Sequence, residues 1–387
     1  EPTWRDRTIV RCGWQPSENV NLDFVVRYNQ GNTQIDNGFS IPPSDDLEDY
    51  TTIRQLATGV RLHTVCESGF YEQLTAYYAT NIDRGYNALD PIVPFNTFVQ
   101  QVHGMSQQVS SLHTLHLIDL TRVGFDATAG GSYYTETMQS SDNFGGFFPT
   151  TSLDDGAAYG QAVLRLGDNW FTTAGVRTDH FNLYGAHDTY RVTSIYRCAA
   201  TKTAVRGTLG TGFRAPSIED RFNPFTGNPD IQPESSKGWD FGVEQPLFDG
   251  DVVTSVTYFR NDFTNLIQPN PIAGFQSQNI LNARATGIEF NTLFVLTPTA
   301  TVTTSYTYTD TVDLSPGTPG FGQPLIRRPR NKWSLIYNQR FFDRLNWNVA
   351  LLYVGDRFDQ NAAGRAFLGN YCVVNTGVVC DVSRRCQ

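Results

Sequence analysis

Apolar and polar residues alternate with a period of two along most of the chain. Val20, Leu22, Phe24, Val26 and Tyr28 alternate with Asn19, Asn21, Asp23, Arg27 and Asn29, and only Val25 breaks the polar row. Trp170, Thr172, Ala174 and Val176 alternate with Thr173, Gly175, Arg177 and Asp179. The rows Val302, Thr304, Tyr306, Tyr308 and Trp347, Val349, Leu351, Tyr353 continue the pattern. Such a row gives a strand one apolar and one polar face. No segment carries a 3.6-residue stripe over three turns.

The strands come in pairs. Arg7–Gln15 and Asn19–Asn29 meet at Pro16-Ser17-Glu18, and Tyr50–Thr64 and Phe70–Asn81 at residues 65–69. Ala157–Leu166 and Trp170–Phe181 meet at Gly167-Asp168-Asn169. Gly238–Pro246 pairs with Val252–Asn261, and Trp333–Phe341 with Asn346–Val354. Long polar inserts separate the pairs, at residues 31–49, 82–94, 139–155, 217–237, 268–277 and 310–324. Strand and turn signals together predict roughly 16 to 18 strands. Short turns at one end and long loops at the other is the layout of an antiparallel transmembrane β-barrel, all-β and apolar outward. In hydrocarbon a sheet must close, because unpaired amides find no water there.

Composition narrows the picture. Aromatics are 13% and charged residues 17% of 387 residues, the latter against about 25% in ordinary soluble domains. The longest apolar run is Val349–Val354, far short of the ~20 residues of a transmembrane helix. A net charge of −9 argues against a nucleic-acid surface. The chain opens at Glu1 without Met or a leader pattern, which reads as a mature, processed or fragmentary chain. Six cysteines show no C-x-x-C and no paired zinc spacing. Cys12 falls in step with Val10 and Trp14, and Cys372 and Cys380 with Val374 and Val378, so these thiols read as small hydrophobes. A Cys380–Cys386 disulfide stays open.

Several motifs add a resemblance. Gly210-Thr211-Gly212-Phe213-Arg214-Ala215-Pro216-Ser217 is followed by Gly227-Asn228-Pro229-Asp230-Ile231-Gln232-Pro233-Glu234 and then Gly242-Val243-Glu244. Tyr258–Asp262, Asn279, Ala283-Arg284, Gly287, Glu289 and Leu325-Ile326-Arg327-Arg328-Pro329 follow in order. This series resembles the TonB-dependent outer-membrane receptors, and within them the vitamin B12 (cobalamin) receptor group. The resemblance implies a barrel of about 22 strands, an outer-membrane location, and active uptake of a scarce nutrient, a cobalamin or a siderophore-type metal chelate. It implies as partners the outer-membrane lipid and lipopolysaccharide, a small-molecule chelate or corrinoid ligand, and the TonB–ExbB–ExbD motor acting through an N-terminal plug. Neither plug nor coupling box is found, so residues 1–387 are expected to be the central part of the barrel, entered about four strands in and lacking the closing strands. Arg214, Glu234, Arg284, Glu289, Arg327 and Arg328 are expected on the lumen face or at its mouth, since an Arg facing lipid at the midplane costs about 2–4 kcal/mol. Gly212 and Gly287 sit in strands, where a missing side chain permits a bend or close approach.

Site candidates follow from the loops. Asp36, Asp45 and Asp46 in one loop and Asp83 and Asp90 in the next could cage a Ca²⁺, which takes 6–8 oxygens; the resemblance supports the loop order, and no other cofactor is required. Tyr86, Tyr133, Tyr134, Phe144 and Phe147 are candidates to stack on a ligand or anchor at the interface. His113 and His116 are three apart, which puts them on opposite faces of a strand. No G-x-S-x-G, phosphate loop or C-x-x-C is present, and an enzyme is not expected. The competing readings are a passive porin or structural barrel, and a soluble all-β binding module.

Overall fold

A computed structural model describes residues 4–34, 50–66, 71–88, 98–143, 147–270, 273–274, 276–317, 320–342, 344–361 and 364–380. Among the described residues, nineteen strands run in chain order. They are β1 (Trp4–Ser17), β2 (Val20–Gln34), β3 (Tyr50–Val65), β4 (Tyr71–Ala88), β5 (Phe98–Leu120), β6 (Val123–Asp142) and β7 (Phe147–Leu166). β8 (Trp170–Phe181), β9 (Gly185–Arg197) and β10 (Ala204–Arg214) lead to a short helix, α1 (Ile218–Phe222). β11 (Glu234–Leu247), β12 (Val252–Asn270), β13 (Gln276–Thr297), β14 (Ala300–Asp313), β15 (Asn331–Phe341) and β16 (Leu345–Val354) follow. β17 (Arg357–Asn361), β18 (Gly364–Leu368) and β19 (Tyr371–Cys380) complete the set. Seventeen strands form one sheet; β17 and β18 are a separate hairpin. Antiparallel ladders join each strand of the sheet to the next in sequence, and β16 passes over the hairpin to β19.

Residues opposite each other in a ladder share a face, so the register carries face identity around the sheet. Phe24, Val60, Tyr77, Val109 and Tyr133 form one continuous row. Phe241, Tyr258, Ile288 and Tyr308 form another, and Tyr306, Trp333, Tyr353 and Cys372 a third. These rows are the outward, apolar face. Trp347 and Tyr353 mark its two margins on β16, six residues or about 20 Å apart along the strand. The opposite face carries the lumen residues. There Asp23 binds Arg61 Nη2 at 2.5 Å with Arg11 3.6 Å away, and Val25, the apolar residue of the polar row, stands opposite Gly59. Cys12, Cys372 and Cys380 lie on the outward face, opposite Phe24, Tyr353 and Leu345, and no described helix is long and apolar enough to cross a membrane.

The strands are longer than their apolar rows. Residues 139–155, expected as a polar loop, are mostly strand: β6 runs to Asp142 and β7 starts at Phe147. Likewise β4 continues to Ala88, β12 to Asn270 and β14 to Asp313. Past the lipid both faces are wet, so polar residues no longer mark the end of pairing. The first turn is displaced too. β1 continues through Pro16 and Ser17 to a turn at Glu18-Asn19, with an irregular register between Trp14 and Ser17, as a proline without an amide donor requires. At Gly287 an added Cβ would collide with Tyr308 O and stand 2.6 Å from the Phe259 ring; the ring lies across the glycine.

Candidate functional site

The end of the sheet that carries the long connections is organised by one loop. Residues 215–233 fold back over β6–β8 and bury Ile218 against Phe148 and Leu153, with Met138, Phe181, Leu183, Tyr184, Ala215 and Phe222 packed around them. Helix α1 is only five residues long and is held by a reciprocal cap: Asp220 N donates to Ser217 Oγ at 3.1 Å, and Ser217 N to Asp220 Oδ2 at 3.0 Å.

The sequence motifs supply the remaining staples. Asn228 N donates to Asp220 O at 2.9 Å, and its Nδ2 to Ser277 O at 3.0 Å. Asn279 accepts from Gln232 N and donates to Gln232 O, both at 2.9 Å, and its Nδ2 also reaches Asn265 O. Glu234 accepts from Arg214 Nε and from Ile267 N. Ile231 is 1% exposed beneath them. These motif residues brace β10–β13 at the mouth, and their polar groups are spent on the protein.

The lumen wall beside this brace is different. Arg177 Nε donates to both oxygens of Asp179, at 2.8 and 3.0 Å, while Asp155 stands 3.7 Å from Nη2 and the Tyr159 ring lies 5.4 Å beneath the guanidinium. Asp155 Oδ1 is buried and accepts no hydrogen bond from the described residues. Tyr184, in the 182–184 turn, has a buried hydroxyl that makes no full hydrogen bond among the described residues. Burial pushes its phenol up, opposed by Arg221, whose guanidinium lies 5.6 Å over the Tyr184 ring. Phe225 projects from the folded loop, 62% exposed. Sequence reading passed over Asp155, Arg177, Tyr184, Arg221 and Phe225; the signals it had were the polar row of β8 and the Asn182–Gly185 turn.

Of the expected ligand and metal residues, only Tyr133, Tyr134 and Asp83 have described side chains, and these three lie apart. Tyr133 is 51% exposed on the outward face, opposite Val109 and Gly156, and so faces lipid rather than ligand. Tyr134 faces the lumen and donates to Glu136 Oε2 at 3.0 Å. The backbones of Tyr86 and Phe147 lie in β4 and β7; their side chains, and Phe144, lie outside the described residues. So do Asp36, Asp45, Asp46 and Asp90. Asp83, expected in a loop, is in β4, where its Oδ1 stands 2.6 Å from His103 Nδ1. It shares the outward face with Asn81 and Met105. No group of three His, Cys, Asp or Glu among the described residues is placed to hold a metal.

Of the expected lumen charges, Arg214 and Glu234 meet. Glu289 lies on the lumen face between Thr257 and Thr307. Arg284 is corrected to the outward face, in the row of Asp262 and Lys237; the apolar band ends below it, so its charge is not in hydrocarbon. Arg327 takes a left-handed backbone, φ 56°, and ties its loop to β17 through Asp359 Oδ1 at 2.9 Å. Arg328 is exposed beside it, Nη1 3.5 Å from Arg327 O. His113 pairs with Tyr71 on one face and His116 with Asp126 on the other, as their spacing implies.

The model of the TonB dependent receptor-like β-barrel matches residues 11–381. The chain belongs to this family. As a TonB-dependent receptor barrel it is an outer-membrane protein. It is 28% identical over 262 residues to the vitamin B12 transporter BtuB of Photobacterium profundum, covering 65% of this chain and 40% of that protein. It is equally 28% identical, over 239 residues, to the iron-regulated outer membrane virulence protein of Vibrio cholerae, covering 55% and 36%. The copper transporter OprC superposes with a TM-score of 0.78 at 15% identity, over 99% of this chain and 64% of that one. The siderophore receptor PirA of Pseudomonas aeruginosa does so at 0.71 and 16%, over 99% and 65%. The chain thus aligns with about two fifths of the curated relatives and about two thirds of the solved barrels.

Proposed function

We propose that this chain forms the barrel wall of a receptor that takes up a scarce nutrient too large for porins, a corrinoid or a siderophore-type metal chelate, with transport energised through TonB. The observation that carries the reading is the mouth of the lumen. A loop braced by the family motifs holds aromatic faces and cations beside two buried polar atoms, Asp155 Oδ1 and the Tyr184 hydroxyl, that make no full hydrogen bond among the described residues. A ligand with both amide or carboxylate edges and flat apolar surface would satisfy them. The names of the relatives support the two ligand classes. In this reading the acidic stretches carrying Asp36, Asp45, Asp46, Asp83 and Asp90 also bind Ca²⁺.

The test is uptake by cells deleted for their own receptors and carrying the full gene. Cyanocobalamin and ferric chelates are supplied separately, with the inner-membrane motor present or removed. Saturable uptake of one class that needs the motor is the expected result. Uptake indifferent to the motor and non-saturating would replace this reading with a passive porin.

A further inference from the structure

The outward wall of β4 and β5 carries polar side chains at membrane depth. On β5, Leu120, Ile118 and Leu115 line that face on the short-turn side of His113 and Ser111, and Val109 and Met105 line it on the other side, all five exposed. His113 and Ser111 therefore lie inside the apolar band and not at its margin. Gln107 lies in it too, between Val109 and Met105. On β11–β13 the same face stays apolar through Phe241, Tyr258 and Ile288. There Arg260 stands opposite Trp239 at the margin, and Asp262 and Arg284 come only beyond it.

The polar groups of β4 and β5 close into a cycle. The Tyr71 hydroxyl donates to Gln73 Oε1 at 3.4 Å, and Gln73 Nε2 to Thr75 Oγ1 at 3.3 Å. Thr75 Oγ1 meets Ser111 Oγ at 3.2 Å. His113 completes the cycle, its Nε2 3.1 Å from Ser111 Oγ and its Nδ1 2.6 Å from the Tyr71 hydroxyl. Five bonds do not exhaust the donors and acceptors of five such side chains. Gln107 Nε2 reaches the Met105 sulfur at 3.5 Å, a weak acceptor. Beside the cycle the wall is shallow. Ser111 stands opposite Gly131 and His113 opposite Ala129, backed by Ala158 and Gly160 on β7.

Hydrocarbon offers no partner to an amide, a hydroxyl or an imidazole, and such groups inside a membrane turn to protein or to water. Between spanning segments, small residues allow close approach and polar side chains bond across the contact. We propose that the outward face of β4–β6 is an interface with a second copy of this receptor, related by a two-fold axis along the membrane normal. Two observations select a copy as the occupant. The amides and hydroxyls here both donate and accept, so the face complements itself, as an isologous contact requires. A two-fold axis along the normal also preserves depth. The polar cycle then meets the polar cycle, and the Tyr77–Val109–Tyr133 row meets its own counterpart. The interface lies outside the wall and is independent of the nutrient taken up.

The experiment uses the full-length receptor, co-expressed with two different affinity tags and extracted in mild detergent. Capture through one tag should retain the other. Gln107→Leu combined with His113→Leu should lower the co-captured fraction roughly ten-fold, the scale of one or two hydrogen bonds lost between spanning segments. Ala129→Trp, which fills the shallow wall, should abolish co-capture. Val256→Trp, on the outward face of β12, should leave it unchanged. Heat-modifiable gel mobility confirms folding; should His113→Leu not fold, Gln107→Leu and Ala129→Trp decide, since neither residue belongs to the cycle. Absence of the second tag from the wild-type capture, or capture unchanged in both Gln107→Leu and Ala129→Trp, would overturn the interface. A different protein held in stoichiometric amount and lost in Ala129→Trp would also overturn it, marking a heteromeric contact instead.

Discussion

Arg214 and Glu234 face each other at the end of the β10–β11 ladder, Nε to Oε2 at 2.5 Å, while the second oxygen of Glu234 accepts the Ile267 amide of β12. One carboxylate thus ties three strands at the root of the 215–233 loop. Replacing it with Ala leaves the Ile267 amide unsatisfied, at a cost of about 1–3 kcal/mol. Glu234→Ala should open the loop to limited proteolysis while gel mobility stays that of a folded barrel. Glu234→Gln keeps an acceptor and should be cut more slowly than Glu234→Ala. Equal protection in wild type and Glu234→Ala would remove the brace.

A second prediction concerns the two faces. Val176, 65% exposed, lies on the outward face, and Gln161 on the lumen face opposite Gly175. Nitroxides placed singly at these positions in the lipid-reconstituted receptor should separate, Val176 relaxed by oxygen and Gln161 by a water-soluble nickel chelate. The same profile at both sites would break the β7–β8 register.

Arg177 keeps Asp155 and Asp179 together on the lumen wall. Arg177→Met leaves two buried carboxylates facing each other. It should lower stability by about 1–3 kcal/mol in urea unfolding, discounted for a guanidinium that is 37% exposed. Adding Asp155→Asn should recover most of the loss. A double variant no better than the single would show that the charges are not coupled.

Cys198 lies in the 198–203 connection, outside the spanning strands. The Thr201 hydroxyl, then the Thr201 and Ala200 amides, stabilise its thiolate and hold its pKa below that of a free thiol. A lowered pKa means more thiolate at a given pH, so iodoacetamide should label Cys198 with a pH midpoint below the ordinary ~8.5. Thr201→Val should move the midpoint up. Cys12, Cys372 and Cys380 face outward and should label slowly in lipid. A Cys198 midpoint at or above that of free cysteine would contradict the hydrogen bonds.

The alternation of Val20–Tyr28 and Trp347–Tyr353 by itself determined which residues face lipid, because inside a bilayer each face meets one medium and the sequence must match it. The short connections at one end and the motif order likewise determined the architecture. The extent of β6 and β7 through residues 139–155 did not follow, since beyond the membrane the backbone ladder continues while the side-chain contrast disappears. Arg284 did not follow either: a charge is tolerated in the lumen or at headgroup height, and only the ladder from Trp239 through Arg260 to the Asp262–Arg284 row fixes its face and level. The mouth was settled by tertiary structure alone. Tyr184 and Arg221 come together because Ile218 buries itself against Phe148 and Leu153, a contact between segments some seventy residues apart that no local pattern encodes.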